Sequence, residues 1–198
     1  WFPGQEFGNS LSDIIFGDVN PSGKLPTTFP KKLEDTPAFA HYPGKDLQMD
    51  YLEGLYIGYR WYEKENIEPL YPFGHGLSYT SFDYRDCRLA KRELVASDTL
   101  EVTVTVTNTG TRYGEEVVQL YICDPQAGME RPAQALRAFT KVGLAAGESG
   151  SISIKVPIPE LQAYCNEREK MIVLEGNYEL KIGSSSRDIR LIDHFSIV

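Results

Sequence analysis

The segment that decides the fold is TLEVTVTVTNTGTRYGEEVVQLYICD, residues 99–124. Its first part alternates Leu and Val with Glu and Thr, the period-two pattern of a strand that buries one face. After the turn NTGTRYGEE, the second part is apolar on both faces, which is typical of a strand in the centre of a sheet. The segment therefore predicts two strands of an antiparallel β-sandwich.

The same alternation recurs through the rest of the chain after residue 80. Residues 152–156 and 178–182 each place apolar side chains at every second position. Further strands are expected at AFTKVGL and RDIRLIDHFSIV, residues 138–144 and 187–198. About seven strands with turns between them indicate an immunoglobulin-like sandwich. We call residues 81–198 the sandwich region.

Residues 1–80, the N-terminal region, are richer in Gly, Pro and aromatic residues. Asn9 is expected to cap a helix over residues 10–16, and Gly17 to end it. A short strand over residues 25–29 would then complete an αβ unit. One such unit cannot cover both faces of a sheet, so this region is expected to be part of a larger α/β domain.

Two further stretches of the N-terminal region bear on the arrangement. Residues 50–65, DYLEGLYIGYRWYEKE, fit helical and strand periodicity equally well, and their β-branched and aromatic content favours extended structure. Residues 77–86, LSYTSFDYRD, are not a flexible linker, so we expect the two regions to dock rigidly. The side chains expected to fill the interface are Tyr79, Phe82 and Tyr84.

Composition narrows the classes of function. The net charge of −8 and the pI near 5.0 argue against a nucleic-acid-binding surface, which needs clustered Lys and Arg. No apolar run approaches the roughly 20 residues that span a bilayer. The cysteines, Cys87, Cys123 and Cys165, lie far apart without metal-ligand spacing, so neither a zinc site nor a disulfide framework is expected.

Long motifs carry a family resemblance that covers essentially the whole chain. They are WFPGQEFGNSLSDIIFGDVNPSGKLPTTFP (1–30), EGLYIGYRWYEKENIEPLYPFGHGLSYTSFDY (53–84), VTNTGTRYGEEVVQLYICDP (106–125) and GSSSRDIRL (183–191). These resemble the C-terminal part of β-glucosidases of glycoside hydrolase family 3. The resemblance implies an α/β fragment, the end of an α/β sandwich domain over 1–80, followed by an all-β, fibronectin type III-like sandwich over 81–198.

The resemblance also implies a function for a longer enzyme. Family 3 enzymes are retaining glycosidases with a nucleophilic Asp and an acid/base Glu, and both would lie before WFPGQE. We therefore expect a C-terminal piece without catalytic residues, belonging to an enzyme that hydrolyses terminal non-reducing β-D-glucosyl residues. The expected partners are the missing N-terminal catalytic portion and a β-glucoside or oligosaccharide substrate, without cofactor, metal, nucleic acid or membrane. The alternatives are a β-xylosidase of the same family and a non-catalytic carbohydrate-binding or adhesion module.

Candidate site residues were weighed against structural roles. A retaining mechanism needs two carboxyl groups about 5 to 5.5 Å apart. For the acids Glu6, Asp13 and Asp18 a structural role is favoured, with the Glu6 carboxylate accepting backbone N–H groups at a helix start. The candidates for outer sugar contacts are the aromatic Trp61 and Phe73 and the possible hydroxyl donor His75, all of which also suit core or interface packing.

Overall fold

Short helices occur mainly in the first part of the chain, and strands form most of the second. The computed structural model describes residues 2–46, 48–124 and 130–198. Its helices are α1 (Phe7–Phe16), α2 (Tyr59–Lys64) and two 3-10 turns (Leu33–Asp35 and Ile158–Leu161). Its strands are β1 (Phe82–Leu89), β2 (Glu93–Leu94), β3 (Thr99–Asn108), β4 (Gly114–Cys123), β5 (Ala135–Leu144), β6 (Ser149–Pro157), β7 (Ala163–Cys165), β8 (Lys170–Ile172), β9 (Gly176–Gly183) and β10 (Ile189–Ile197).

Two sheets form the sandwich. One has the strand order β1-β3-β6, and the other has the order β2-β10-β9-β4-β5. The long strands pair antiparallel, with Val104 opposite Ile152 and Leu120 opposite Ile182, while the short β2 runs parallel to β10. Strands β7 and β8 form a separate pair. The predicted strand-rich sandwich is confirmed, and β4 lies inside its sheet between β5 and β9 as its two apolar faces suggest.

The core lies between the two sheets. Alternate residues of β3 and β4, among them Val104 and Leu120, have no exposed surface. Each such side chain contributes about 1.5–3 kcal/mol by leaving water. The intervening residues of β3 are Thr and Glu and are partly exposed, as the alternation predicts. The period-two pattern therefore fixes which face of β3 points inward.

The first helix begins earlier than expected. Helix α1 starts at Phe7, and the Ser10 amide already donates to the Glu6 carbonyl at 2.9 Å. Asn9 consequently lies inside the helix, so the prediction that it caps the helix is wrong; its Nδ2 donates instead to Glu6 Oε2 at 2.6 Å. Gly17 ends the helix in the left-handed conformation, as predicted, and its amide donates to the Ile14 carbonyl.

The expected strand over residues 25–29 is also absent from the described structure. Only Phe29 forms a β-bridge, with Tyr71, while the Leu25 amide donates to the His75 carbonyl at 2.8 Å. The two segments thus run side by side, but Pro26 has no N–H to contribute to a ladder. The result is a pair of isolated contacts rather than a strand.

The preference for extended structure is wrong for part of residues 50–65. Helix α2 follows Gly58, whose φ of 55° is favoured by a glycine. Tyr62 points inward and is 4% exposed, and the Trp61 indole N–H donates to the Asp35 carbonyl at 3.0 Å. Periodicity could not separate the two alternatives because the tertiary contacts of these aromatic rings decide between them.

The interface between the regions differs from the expected one. Tyr84 belongs to the sandwich core, and Phe82 packs against that core. Tyr79 is 46% exposed, although its hydroxyl donates to the Ile14 carbonyl at 2.7 Å. The outer face of β4 forms the interface instead, where the buried Gln119 donates to the carbonyl of Gly74 at 3.1 Å. The N-terminal region therefore covers the β4 face that the second sheet leaves open.

Gly74→Ala is expected to destabilise the protein more than the matched control Gly147→Ala. The two glycines have similar φ values, 80° and 74°, so both variants share the cost of a left-handed backbone. A Cβ at Gly74 would lie 2.1 Å from Gln119 Oε1, whereas one at Gly147 would meet nothing within 4 Å. We expect Gly74→Ala to lose about 2 kcal/mol more than the control in urea unfolding. Equal losses would show that the close approach to Gln119 has no energetic importance.

Candidate functional site

The three residues expected to contact sugar lie in α2 and in the segment before β1. Besides the Trp61 contact with Asp35, the ring of Phe73 stacks on Tyr59 with centroids 4.8 Å apart. The His75 ring stacks on Tyr71 at 5.2 Å. All three side chains are partly buried. The rings of Tyr59 and Tyr71 thus cover faces of Phe73 and His75 on which a pyranose would otherwise stack.

Phe73 and His75 line different cavities. Phe73 borders an apolar cavity of 300 Å³ together with Leu25, Val117 and Phe139. His75 borders a polar cavity of 240 Å³ between the two regions. The charged residues around this second cavity are Lys24, Glu116, Asp188 and Arg190, with Ser184 and Ser185 beside them. Because charged and hydroxyl side chains from both regions line it, the polar cavity is the candidate functional site.

A buried ion pair joins the two regions across this cavity. Lys24 Nζ lies 3.1 Å from Glu116 Oε1, and the two side chains are 14% and 7% exposed. The Tyr84 hydroxyl donates to the same oxygen at 2.9 Å. Burial raises the pKa of Tyr84, and the neighbouring Glu116 charge raises it further, so the phenol stays protonated and remains a donor. Glu116 Oε1 thus receives an ammonium from the N-terminal region and a hydroxyl donor from the sandwich region.

A second ion pair lies on the sandwich side of the cavity. Arg190 Nη2 is 2.8 Å from Asp188 Oδ2, and Ser184 Oγ donates to the same oxygen. The hydrogen bond from Arg190 lowers the pKa of Asp188, and that from Ser184 adds to the effect. The guanidinium also lies over the Tyr84 ring, 4.7 Å from its centroid. The site is therefore a network of paired charges.

This electrostatic arrangement suits attachment of the two regions rather than acid catalysis. A glycosidase acid must keep its proton near neutral pH and needs a raised pKa. The pKa of Asp188 moves in the opposite direction. Glu116 Oε1 is already in contact with Lys24 Nζ and with the Tyr84 hydroxyl. That the chain supplies no catalytic residue stays a prediction.

The acids near the start of the chain lie apart from this network. Glu6 is exposed, and its carboxylate accepts a hydrogen bond from the Asn9 side chain. That carboxylate makes no bond to the helix backbone, so the expectation that it caps backbone N–H groups is wrong. Asp13 and Asp18 are exposed as well. In the described part of the chain, His, Cys, Asp and Glu side chains form no group of three that could hold a metal ion. Nor does any helix among residues 2–46, 48–124 and 130–198 have the length and apolar character to cross a membrane.

Sequence reasoning missed several interface residues. Gln119 is the single polar residue in the apolar run Val117–Cys123 of β4, and this interruption was the available signal. The turn Ser184–Asp188 has the residue types of an ordinary connection between strands, yet its three serines are buried, with 3% to 9% exposure. Arg187 in that turn reaches α2. Ser and Asp are common in turns, so these residue types gave no sign that the turn would contact another region.

Comparison with known proteins identifies the family. Residues 1–79 match the model of the Glycosyl hydrolase family 3 C-terminal domain, and residues 116–186 match that of the Fibronectin type III-like domain. The longer of the two matches is thus to a domain of glycoside hydrolase family 3. The family resemblance of the sequence motifs is therefore confirmed.

β-Glucosidases of several organisms align along nearly the whole chain. It is 46% identical over 194 residues to a β-glucosidase of Rhizobium radiobacter, covering 96% of this chain and 24% of that protein. Among solved structures, it is similar to the family 3 β-glucosidase of Bifidobacterium adolescentis (TM-score 0.92, 38% identity, 100% of this chain, 29% of that one). It is also similar to β-glucosidase 3B of Thermotoga neapolitana in complex with α-D-glucose (TM-score 0.90, 41% identity, 99% and 27%). The chain spans about a quarter of the length of these β-glucosidases.

Glu116→Gln is expected to cost about 3 kcal/mol of unfolding free energy, because it leaves the Lys24 ammonium in a buried site without its countercharge. The neighbouring Glu115→Gln is the control, since the Glu115 side chain is 37% exposed and its pair with Lys141 is worth less than about 1 kcal/mol. Urea unfolding measures both variants. Replacing Lys24 by Met in the Glu116→Gln background should recover part of the loss, and a Glu116→Gln cost no larger than that of the control would contradict a buried pair.

Proposed function

We propose that this chain is the C-terminal portion of a retaining β-glucosidase that hydrolyses terminal non-reducing β-D-glucosyl residues. The supporting observation is its identity of 43% and 46% with β-glucosidases of Acetivibrio thermocellus and Rhizobium radiobacter, across 95% and 96% of its length. Its own role is structural: it supports the active site of the longer enzyme, and the catalytic carboxyl groups lie in the N-terminal portion.

We further propose that residues 1–80 are the end of an α/β sandwich domain and that residues 81–198 are the fibronectin type III-like domain. Burial supports this division. Among the described residues before 80, Tyr62 is the only buried hydrophobic side chain, and α1 buries none. Its apolar residues Leu11, Ile15 and Phe16 are 41%, 63% and 81% exposed. Such a surface suits a layer that packs against further layers of its domain.

The partner proposed for this apolar surface is the catalytic portion of the same enzyme. Most of the exposed large hydrophobic side chains among the described residues lie between residues 2 and 79. The matched relatives are about four times the length of this chain, which leaves ample sequence to cover that surface. In this arrangement Trp61, Phe73 and His75 support the sugar site from its outer side, with Tyr59 and Tyr71 holding two of the rings in place.

The activity is tested by comparing the chain alone with the longer protein that contains it. We expect the longer protein to hydrolyse an aryl β-glucoside with retention of anomeric configuration, which NMR of the released sugar measures. The chain alone should show no turnover. An aryl β-xyloside is the competing substrate. Faster turnover of the xyloside would favour a β-xylosidase, and turnover by the isolated chain would place catalytic groups within it.

Limited proteolysis tests the division into two regions. In the isolated chain we expect the first cuts between residues 37 and 57, where the side chains are largely exposed and helices and strands are absent from the described residues. A fragment containing residues 81–198 should persist, as judged by intact mass. The longer protein, in which the catalytic portion covers the apolar surface, should resist at the same sites. Equal resistance of both regions in the isolated chain would mean that the N-terminal region is stable without a partner.

A further inference from the structure

One arginine of the sandwich reaches into the N-terminal region and binds the end of α2. Arg187 lies in the turn between β9 and β10. Its Nη2 donates to the carbonyls of Tyr62 and Ile67, each at 3.1 Å. Its Nε lies 2.8 Å from Glu63 Oε1. A single guanidinium therefore meets three acceptors at the C-terminal end of the helix, a geometry that its planar set of donors allows.

The turn itself is held in one conformation by its serines. The Ser184 amide donates to the Asp188 carbonyl at 3.0 Å. Ser185 Oγ accepts from the amides of Arg187 and Asp188 at 3.3 and 2.9 Å. These bonds fix the backbone on both sides of the arginine. Its side chain consequently leaves the sandwich in a defined direction.

Other groups in the same turn contact the segment that follows α2. The Ser186 amide donates to the Phe73 carbonyl at 2.9 Å, and the Ser186 carbonyl accepts from Gln134 at 2.8 Å. The Ser184 carbonyl accepts from Gln119, which also donates to Gly74. The turn thus binds the two ends of the stretch from α2 to residue 74.

Helix α2 needs an external contact of this kind. It has six residues, far fewer than the roughly 12 that an isolated helix needs in water. A cation at its C-terminus meets the negative end of the helix dipole, and here it is a second donor to the Tyr62 carbonyl beside the Ile67 amide. Burial raises the pKa of Glu63, and the Arg187 charge opposes this rise. The Tyr62 and Ile67 carbonyls accept hydrogen bonds from Arg187, and Glu63 adds an ion pair.

We propose that Arg187 is a positioning residue for substrate binding, which holds α2 and Phe73 in place from the sandwich side. This proposal rests on the proposed β-glucosidase function, because Trp61 lies on α2 and Phe73 follows it. Arg187 itself does not touch the substrate. Its loss loosens the outer sugar contacts while the catalytic carboxyl groups of the N-terminal portion remain intact. The effect therefore falls on KM rather than on kcat.

The kinetic test uses the longer enzyme with Arg187→Ala, Arg187→Lys and the control Arg85→Ala. Arg85 lies on the other sheet, is 74% exposed and pairs only with Asp83 among the described residues. For an aryl β-glucoside we expect Arg187→Ala to raise KM about tenfold with kcat within about twofold of wild type. Arg187→Lys should fold and give a smaller rise in KM, because lysine keeps the positive charge. KM should still rise, because an ammonium cannot span the three acceptors. Kinetic constants equal to those of the control, or a loss of kcat at unchanged KM in the Lys variant, would overturn the proposal.

A spectroscopic test separates this inference from the proposed function. In the isolated chain, the indole ¹H–¹⁵N resonance of Trp61, assigned with Trp61→Phe, reports on α2 through its bond to Asp35. We expect Arg187→Ala to shift or broaden this resonance and to speed exchange of the Glu65 amide, which donates to the Trp61 carbonyl. The amides of β3 should remain as in wild type. Inactivity of the wild-type longer protein would refute the function alone, whereas an unchanged Trp61 resonance would refute the role of Arg187.

Discussion

The side-chain amide of Gln119 is the interaction on which the arrangement of the two regions depends. It is 3% exposed and lies on the outer face of β4. Its Nε2 donates to the Gly74 carbonyl of the N-terminal region and to the Ser184 carbonyl of the β9–β10 turn, at 3.1 and 2.6 Å. Its Oε1 accepts the Tyr121 hydroxyl at 2.6 Å. One buried amide thereby joins the sandwich, its turn and the neighbouring region.

The chemistry of this interface explains why it is specific. An amide buried without partners costs roughly 1–3 kcal/mol per missing bond, so the chain must bring the two carbonyls to Gln119 together. Only a glycine at position 74 allows the approach. The buried pair of Lys24 and Glu116 also requires the two regions to be in contact, since either charge alone in that site would be strongly unfavourable. The polar contacts thus fix the relative orientation of the regions, while the apolar core of the sandwich supplies most of the stability.

Sequence reasoning succeeded where one local rule governed the outcome and failed where distant contacts did. The alternation in β3 predicted a strand with one buried face, and the apolar residues on both faces of β4 predicted its position inside a sheet. Gly17 was predicted as a helix end because few residues other than glycine adopt its backbone conformation readily. By contrast, Tyr84 was assigned to the interface, although its ring belongs to the sandwich core and its hydroxyl binds Glu116. A tyrosine in a connecting segment carries no local indication of which side will bury it.

The sequence by itself determined the strand-rich sandwich, the inward face of β3 and the resemblance to family 3, because period-two burial and long motifs are properties of consecutive residues. Only the tertiary structure decided that α2 is a helix, that the outer face of β4 receives the N-terminal region, and that Arg187 binds the end of α2. These features depend on residues more than 40 positions apart, such as Gly74 with Gln119 and Tyr62 with Arg187. Their hydrogen bonds form only when both regions are folded and in contact, so no local pattern along the chain encodes them.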